Sequence, residues 1–227
     1  MKKVVLITGA NRGIGLEAAR QMKAKKYEVL LTSRNMEDGE RAARDLGVSF
    51  HQLDVLSAKS IEALKSQVET EFGRLDALIN NAGILIDRKD HILDISEEKL
   101  RTTLDTNTYA PLALTRAFLP MMLEENYGRV VNVSSVLGQI SSFNDYTPAY
   151  RLSKLALNGI TLMLADAVKG KNILINSIHP GWVKTDMGGE EAPLSLEEGA
   201  RGLVWAATLP DNGPQGGFFQ HGKKMDW

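Results

Sequence analysis

The chain contains no cysteine, which removes disulfides, thiolate metal sites and thiol nucleophiles together and agrees with a reducing compartment. Neither sign of charge is in excess. The 27 Lys and Arg face 28 Asp and Glu, for a formal net charge of −1, with both signs scattered. Nothing resembles the basic stripe that nucleic acid or an anionic membrane demands, so neither partner is expected. Long apolar runs are lacking too. "MKKVVLI" starts like a signal peptide, yet its run stops at Thr8, short of the roughly 7–15 residues of a secretory core or the ~20 of a transmembrane helix. A cytoplasmic location is therefore expected. The four histidines show no metal-ligand spacing, and no metal is expected. No repeat, linker or break in composition divides the sequence, so residues 1–227 are read as one domain.

What the chain does have is alternation. Short β-branched runs read as strands at Lys3 to Thr8, Glu28 to Ser33, Val48 to Asp54, Ala77 to Asn80, Arg129 to Ser134 and Ile173 to His179. Longer amphipathic stretches between them read as helices at Gly13 to Lys26, Glu37 to Leu46, Ser57 to Phe72, Glu97 to Glu124, Pro148 to Val168 and Leu196 to Thr208. Near-continuous apolar strands such as "VVLI" suit a sheet covered on both faces, so the expected fold is α/β, a doubly wound parallel sheet of the Rossmann type flanked by helices. The stretch from Met187 to Ser195, "MGGEEAPLS", is the longest without periodicity and is a candidate mobile substrate lid hinged at Gly188 and Gly189.

"TGANRGIG" follows the first strand and opens the first helix. Its glycines at 9, 13 and 15 permit a tight turn, close approach of backbone to a pyrophosphate and close helix-to-strand packing. Asn11, Arg12 and Ile14 lie between them. About 20 residues on, where an NAD-binding chain offers a carboxylate to the ribose, this one reads "TSRN". Ser33 stands in the acid's place and Arg34 follows, with Arg12 able to approach from the glycine loop. Two guanidiniums and no carboxylate favour a 2′-phosphate, hence NADP(H) rather than NAD(H). Asp54, followed by Val55, either accepts from the adenine amine or caps the helix that begins near Ser57.

"YRLSK" places a phenol, Tyr150, four residues before an ammonium, Lys154, on one helical face. Alone the pair decides nothing. "TGANRGIG", "NNAG" (Asn80 to Gly83), Asn107, "NVSS" (Asn132 to Ser135), Tyr150 with Lys154, and "HPGWVKTDM" (His179 to Met187) fall in one order and approximate spacing. In this the chain resembles the classical short-chain dehydrogenase/reductase family from Val4 to Met187, and "PGWVKTDM" is similar to its carbonyl reductase branch.

The resemblance implies a catalytic tetrad of Asn107, Ser135, Tyr150 and Lys154. Tyr150 would donate the proton, Lys154 would lower a phenol pKa that is ordinarily ~10, Ser135 would bond the substrate oxygen, and Asn107 would hold a water linking Lys154 to solvent. It also implies that Thr185 and the Val183 backbone, beside Pro180 and Gly181, bond the nicotinamide, and that Asn81, Ala82 and Gly83 lie near the ribose on the adenosine side. Ile84, Leu85, Ile140, Tyr146, Trp182 and Met187 are candidates for an apolar substrate wall. Pro148 suits a first helical turn, so Thr147 is expected to cap and Tyr146 to lie in the loop before it. Ser134 and Ser135 point to opposite faces, and the alignment favours Ser135. Ser135 to Tyr150 is fifteen residues where thirteen is usual for the family, which implies a reshaped loop at "QISSFNDYTP".

The expected activity is thus NADPH-dependent hydride transfer to an aldehyde or ketone, a small-molecule substrate. Two other readings stand beside it: a 3-oxoacyl-thioester reductase or a steroid or sugar alcohol dehydrogenase of the same family, and a cofactor-binding sensor without turnover. The acidic lid disfavours an acidic carrier. A homo-oligomer is left open.

Overall fold

A computed structural model describes residues 2–227. Its strands are β1 (Val4–Ile7), β2 (Glu28–Ser33), β3 (Ser49–Gln52), β4 (Ala77–Asn80), β5 (Gly128–Val133), β6 (Ile173–Ile178), β7 (Phe218–Gln220) and β8 (Lys223–Met225). The helices are α1 (Gly13–Ala24), α2 (Met36–Leu46), α3 (Ala58–Phe72), α4 (Glu97–Leu104), α5 (Ala110–Glu124), α6 (Pro148–Ala167) and α7 (Leu196–Ala207). One sheet runs in the order β3-β2-β1-β4-β5-β6-β7-β8, parallel except for the last pair.

Strand periodicity sorts the core into two layers. Val5 and Ile7 of β1 pack with Ala18, Met22, Leu203 and Val204 of α1 and α7, while Val4 and Leu6 face Leu64, Leu114 and Phe118 of α3 and α5. The strand order reverses between β1 and β4. Their C-terminal ends open the crevice where doubly wound sheets bind ligands.

Two features differ from the sequence reading. The helix expected from Glu97 to Glu124 is interrupted, because Asp105–Tyr109 forms a π-helical turn between α4 and α5. The C-terminal hairpin β7–β8 was not anticipated. His221 and Gly222 both have positive φ, 49° and 76°, as a two-residue hairpin turn requires, and each strand is too short to announce itself by alternation.

A file of polar side chains crosses the sheet between β4 and β6. Asn80, Asn132 and Ser177 occupy adjacent register positions. Asn80 Nδ2 donates to Asn132 Oδ1 at 2.8 Å and to Thr115 Oγ1 of α5 at 3.2 Å. Asn132 Nδ2 donates to Thr161 Oγ1 of α6 at 2.9 Å, and Thr161 meets Ser177 Oγ at 2.9 Å. All are buried, so each bond lacks a competing water. Asn132→Ala leaves the Asn80 amide and the Thr161 hydroxyl short of a partner, and we expect it to lower stability by about 1–3 kcal/mol. Denaturant midpoints measure this; an unchanged midpoint would show that the file adds nothing to stability.

Candidate active site

At the mouth of the crevice, Gly9 and Gly13 take positive φ, 60° and 59°. Gly15 is needed for space, since a Cβ there would lie 2.4 Å from Asn81 Nδ2 and 2.8 Å from Gly9 O. The Asn81 amide spends both hydrogens on Thr8 O (2.8 Å) and Gly9 O (3.1 Å), so this side chain holds the glycine loop against β4. Ala82 packs under Gly9, and Asn11 and Ile14 are half-buried at the rim. Arg12 occupies the N-cap position of α1 without a side-chain cap, and the first turn has no acid. The amides of that turn are free to meet an anion, which fits a pyrophosphate.

The Arg12 guanidinium lies against the Asp186 carboxylate. Both side chains of this pair are exposed, so it is weak, and an approach of Arg12 to an anion beside Arg34 costs little. Ser33 is buried at the end of β2 and Arg34 is exposed beyond it. Asp54 Oδ1 accepts from Leu56 N at 3.0 Å in a local turn, with Val55 half-buried beside it. Of the two alternatives for Asp54, the capping role is taken by Ser57, whose hydroxyl accepts from Ser60 N at 3.2 Å.

Tyr150 sits in the first turn of α6 with 8% of its surface exposed. The expected cap is wrong in detail. Thr147 has φ 49° and makes no side-chain cap bond, since the left-handed backbone turns its hydroxyl away from the amides. Asp87, fully buried, takes the role instead, its Oδ2 accepting from Ala149 N at 2.7 Å and Tyr150 N at 3.2 Å. Tyr146 lies in the preceding loop, its ring against His91 at 4.1 Å between centroids. The longer loop leans on the segment after β4, through Ile92 N to Asp145 O (2.9 Å) and Thr147 N to Asp90 O (3.2 Å).

One turn along, Lys154 Nζ donates to Val133 O at 2.7 Å and stands 5.5 Å from the Tyr150 ring centroid. The two serines part as strand alternation requires. Ser134 Oγ donates to Asn158 Oδ1 at 2.7 Å and is structural, whereas the Ser135 hydroxyl faces the phenol. Burial pushes Tyr150 up to about 12, with the Ser135 hydrogen bond pulling the other way. Burial also pushes Lys154 down to about 8. The expected lowering of the phenol by Lys154 is thus not what dominates here: desolvation drives both groups toward their neutral forms.

Asn107 falls within the π-helical turn, a distortion frequent at functional sites. Its Oδ1 accepts from Ile84 N at 2.8 Å, and its Nδ2 donates to Ile84 O at 2.8 Å and to Ser153 Oγ at 3.1 Å. Both amide hydrogens are committed, so the side chain can take a water only through the remaining lone pair on Oδ1. A Cβ on Gly83 would lie 3.2 Å from Asn107 Oδ1 and 3.7 Å from Lys154 Nζ, which brings these three residues to one point.

The loop from Pro180 to Ser195 covers the crevice. Gly181 has φ 88°, and Val183 and Leu194 form a bridge. Thr185 Oγ1 accepts from Gly188 N at 2.8 Å, and its methyl faces Gly13. Arg88 donates to the Met187 carbonyl, and Trp182 Nε1 donates to Gly188 O at 2.7 Å. Gly188 is tightly packed, since a Cβ would fall 1.9 Å from Val183 O, whereas Gly189, at φ 81°, has open surroundings. Of the apolar wall, Ile140 and Trp182 are exposed, and Ile84, Leu85 and Met187 are half-buried.

Asp87, Arg88 and Asp186 escaped the sequence reading. A carboxylate that caps a helix from 62 positions upstream leaves no local signature. A surface cavity of about 320 Å³ lined by Ile92, Phe143, Pro148, Arg151 and Leu152 lies on a different face of α6 from Tyr150 and Lys154, at 100° per residue.

The model of the family described as short chain dehydrogenase matches residues 3–194. The short-chain dehydrogenase anuI of Penicillium roqueforti is 38% identical over 226 residues, covering 91% of this chain and 89% of its own. Carbonyl reductase (NADPH) 1 of Mus musculus is 33% identical over 281 positions, covering 100% of this chain and 99% of its own, so the mouse protein carries insertions absent here. The NADPH-bound carbonyl reductase from chicken fatty liver superposes with a TM-score of 0.89 at 32% identity, covering 100% of this chain and 94% of that one.

Burying Lys154 has a thermodynamic signature. Its pKa falls from 10.5 unfolded to about 8 folded, which corresponds to about 3 kcal/mol of destabilisation, fully present below pH 8 and relieved as the pH rises to 10.5. Lys154→Met removes that penalty while leaving Val133 O without its donor, a loss of about 1 kcal/mol. We expect the variant to be more stable than the parent by about 1–3 kcal/mol at pH 7, with the gap closing by pH 10.5. Paired denaturant titrations at pH 7 and 10 test this, and a gap independent of pH would refute it.

Proposed function

Since the chain belongs to the short chain dehydrogenase family, we propose that it is an NADPH-dependent reductase of aldehydes and ketones with an apolar body, in which Tyr150 is the proton donor. The observation that carries this reading is the buried Tyr150 phenol facing the Ser135 hydroxyl, with the Lys154 ammonium one helical turn behind it at the open end of the sheet. The glycine loop with the uncapped start of α1 would hold the pyrophosphate, Arg34 and Arg12 the 2′-phosphate, Asp54 and Val55 the adenine side. Lys154 and the stretch from Pro180 to Thr185 would hold the nicotinamide riboside.

When bound, NADPH supplies the hydride that reaches the carbonyl carbon. The residues of this chain manage the oxygen. Tyr150 Oη gives its proton to the oxygen as negative charge develops there, and at a pKa of about 12 the phenol is fully loaded at neutral pH. The Ser135 hydroxyl donates to the same oxygen, a contact that strengthens as charge grows. Lys154, still mostly protonated below its pKa of about 8, stabilises the phenolate left behind. Ile140, Trp182 and Met187 offer an apolar wall to the rest of the substrate. Glu190 and Glu191, both exposed on the lid, support a small neutral substrate over one on an acidic carrier.

A panel of aldehydes, ketones, quinones and keto esters, followed by loss of NADPH absorbance, tests the activity. Silence across the panel despite tight NADPH binding would favour a sensor. Tyr150→Phe should keep NADPH affinity and lose most turnover, and Tyr146→Phe should keep turnover; the reverse order of damage in kcat would overturn the assignment. Cofactor choice provides a separate check. Replacing Ser33 with Asp and Arg34 with Gln exchanges a cation for a carboxylate, and preference should move toward NADH by roughly ten- to a hundredfold, as loss of a charged contact of about 1.5–3 kcal/mol implies. A parent enzyme that already prefers NADH would refute the premise.

A further inference from the structure

α2, α3, α4 and α7 each begin with a side-chain cap from the preceding residue, Asn35, Ser57, Ser96 and Ser195. α6 does not. Thr147 makes no cap bond and Pro148 has no N–H, so the first amides the helix presents are those of Ala149 and Tyr150. Both go to one oxygen of Asp87, which lies after "NNAG" beyond the end of β4. Asp87 is fully buried, and its second oxygen, Oδ1, has no partner. A neutral acceptor would satisfy the same two amides without burying a charge. The carboxylate adds a field that a neutral cap lacks.

We propose that Asp87 is a positioning residue for the reaction: it caps the catalytic helix from outside and, through the Tyr150 amide and its own charge, sets where the phenol stands and keeps its proton on. The inference rests on the reading of Tyr150 as proton donor. The charged and polar groups around the phenol come from three elements. From the segment after β4, Asp87 opposes ionisation and Arg88 favours it; from the end of β5, the Ser135 hydroxyl favours it. From α6 itself come Lys154, 5.5 Å from the ring centroid, and Arg151, whose pKa is lowered by burial against an opposing pull from Asp87. Arg151 is directed away, its guanidinium donating to Tyr146 O at 2.8 Å and Ser142 O at 2.7 Å. Burial is the largest influence keeping the proton on Tyr150, and Asp87 is the negative group that adds to it. A helix start fixed by a carboxylate from another segment also leaves the long loop before it free to vary without moving the phenol.

Two variants separate the cap from the charge. Asp87→Asn keeps an oxygen able to accept both amides and removes the charge; Asp87→Ala removes both. With 4-nitrobenzaldehyde and NADPH as the probe reaction, and rates normalised to folded protein by circular dichroism, D87A should lose about ten- to a hundredfold in kcat through misplacement of the phenol, with NADPH affinity unchanged. D87N should keep most of its turnover. Its Tyr150 should ionise at lower pH than in the parent, read as phenolate absorbance in stopped-flow alkaline jumps after subtracting the same variant carrying Tyr150→Phe. A purely structural Asp87 would lower the melting temperature in both variants and leave that ionisation where it was. An unshifted titration in D87N, or parental kcat in D87A, overturns the proposal. Tyr150→Phe alone, run in parallel, tells the two readings apart: if it turns over normally the proton donor is wrong, and if it is inactive while Asp87 variants behave as the parent, only the present inference falls.

Discussion

The placement of α6 on the sheet depends on the hydrogen-bonded file Asn80–Asn132–Thr161–Ser177, and the candidate site depends on α6. Tyr150, Lys154, Asn158 and Thr161 recur at helical spacing on one stripe. The lower half of that stripe is bonded to the sheet, Asn158 to Ser134 and Thr161 to Asn132 and Ser177. The upper half carries the phenol and the ammonium. An apolar stripe would let the helix slide or rotate by a fraction of a turn at little loss of burial, whereas hydrogen bonds of fixed length in a dry interior permit one setting. The start of the helix is fixed separately by Asp87.

Local chemistry was legible in the sequence and remote chemistry was not. The strand β1 could be read because Val4 to Ile7 is apolar on both faces, and the glycine loop because backbone conformation and close approach dictate residue type. The Tyr150 and Lys154 pair was legible through helical spacing, and Ser135 through alternation with Ser134. By contrast, the π-helical turn at Asn107 interrupts an otherwise continuous helical pattern, and no propensity signals it. The cap on α6 was assigned to Thr147 because caps are ordinarily local; a left-handed residue and a carboxylate from another segment broke that rule. Arg12 was assigned by charge alone, and only the folded chain brings Asp186 beside it.

Several departures from ordinary stability lie where the chemistry is assigned. Tyr150 is held up at about 12 and Lys154 down at about 8, both by burial. Asp87 is buried with one oxygen unpaired, and nearby His179, also desolvated, is held down at about 4. Two buried ionic groups elsewhere are well satisfied. Fully buried Arg129 donates to Leu209 O, Gly128 O, Asn172 O and Asp211, and buried Asp76 accepts from Val4 N and Arg74. Desolvated groups without full compensation thus stand beside the assigned chemistry, as expected where function sets the residues, but they occur elsewhere too: buried His51 Nε2 on β3 has no hydrogen-bond partner, and burial raises the Tyr27 phenol before β2 to about 12.

The lid shows which forces matter on the opposite wall. Arg12 and Asp186 form the visible tie between glycine loop and lid, yet their side chains are 74% and 78% exposed, and such a pair contributes about 0–1 kcal/mol in water. The backbone does more. Lys184 N to Leu194 O at 2.9 Å and Leu194 N to Trp182 O at 3.2 Å close the loop on itself, Ala192 is buried, and Gly188 rests against Val183 O with no room for a side chain. The segment from Trp182 to Leu194 therefore holds its internal shape as a unit while its ion pair to the glycine loop is weak and screened by salt. Exposed Trp182 and half-buried Met187 are thus carried on a segment whose shape its own backbone bonds fix.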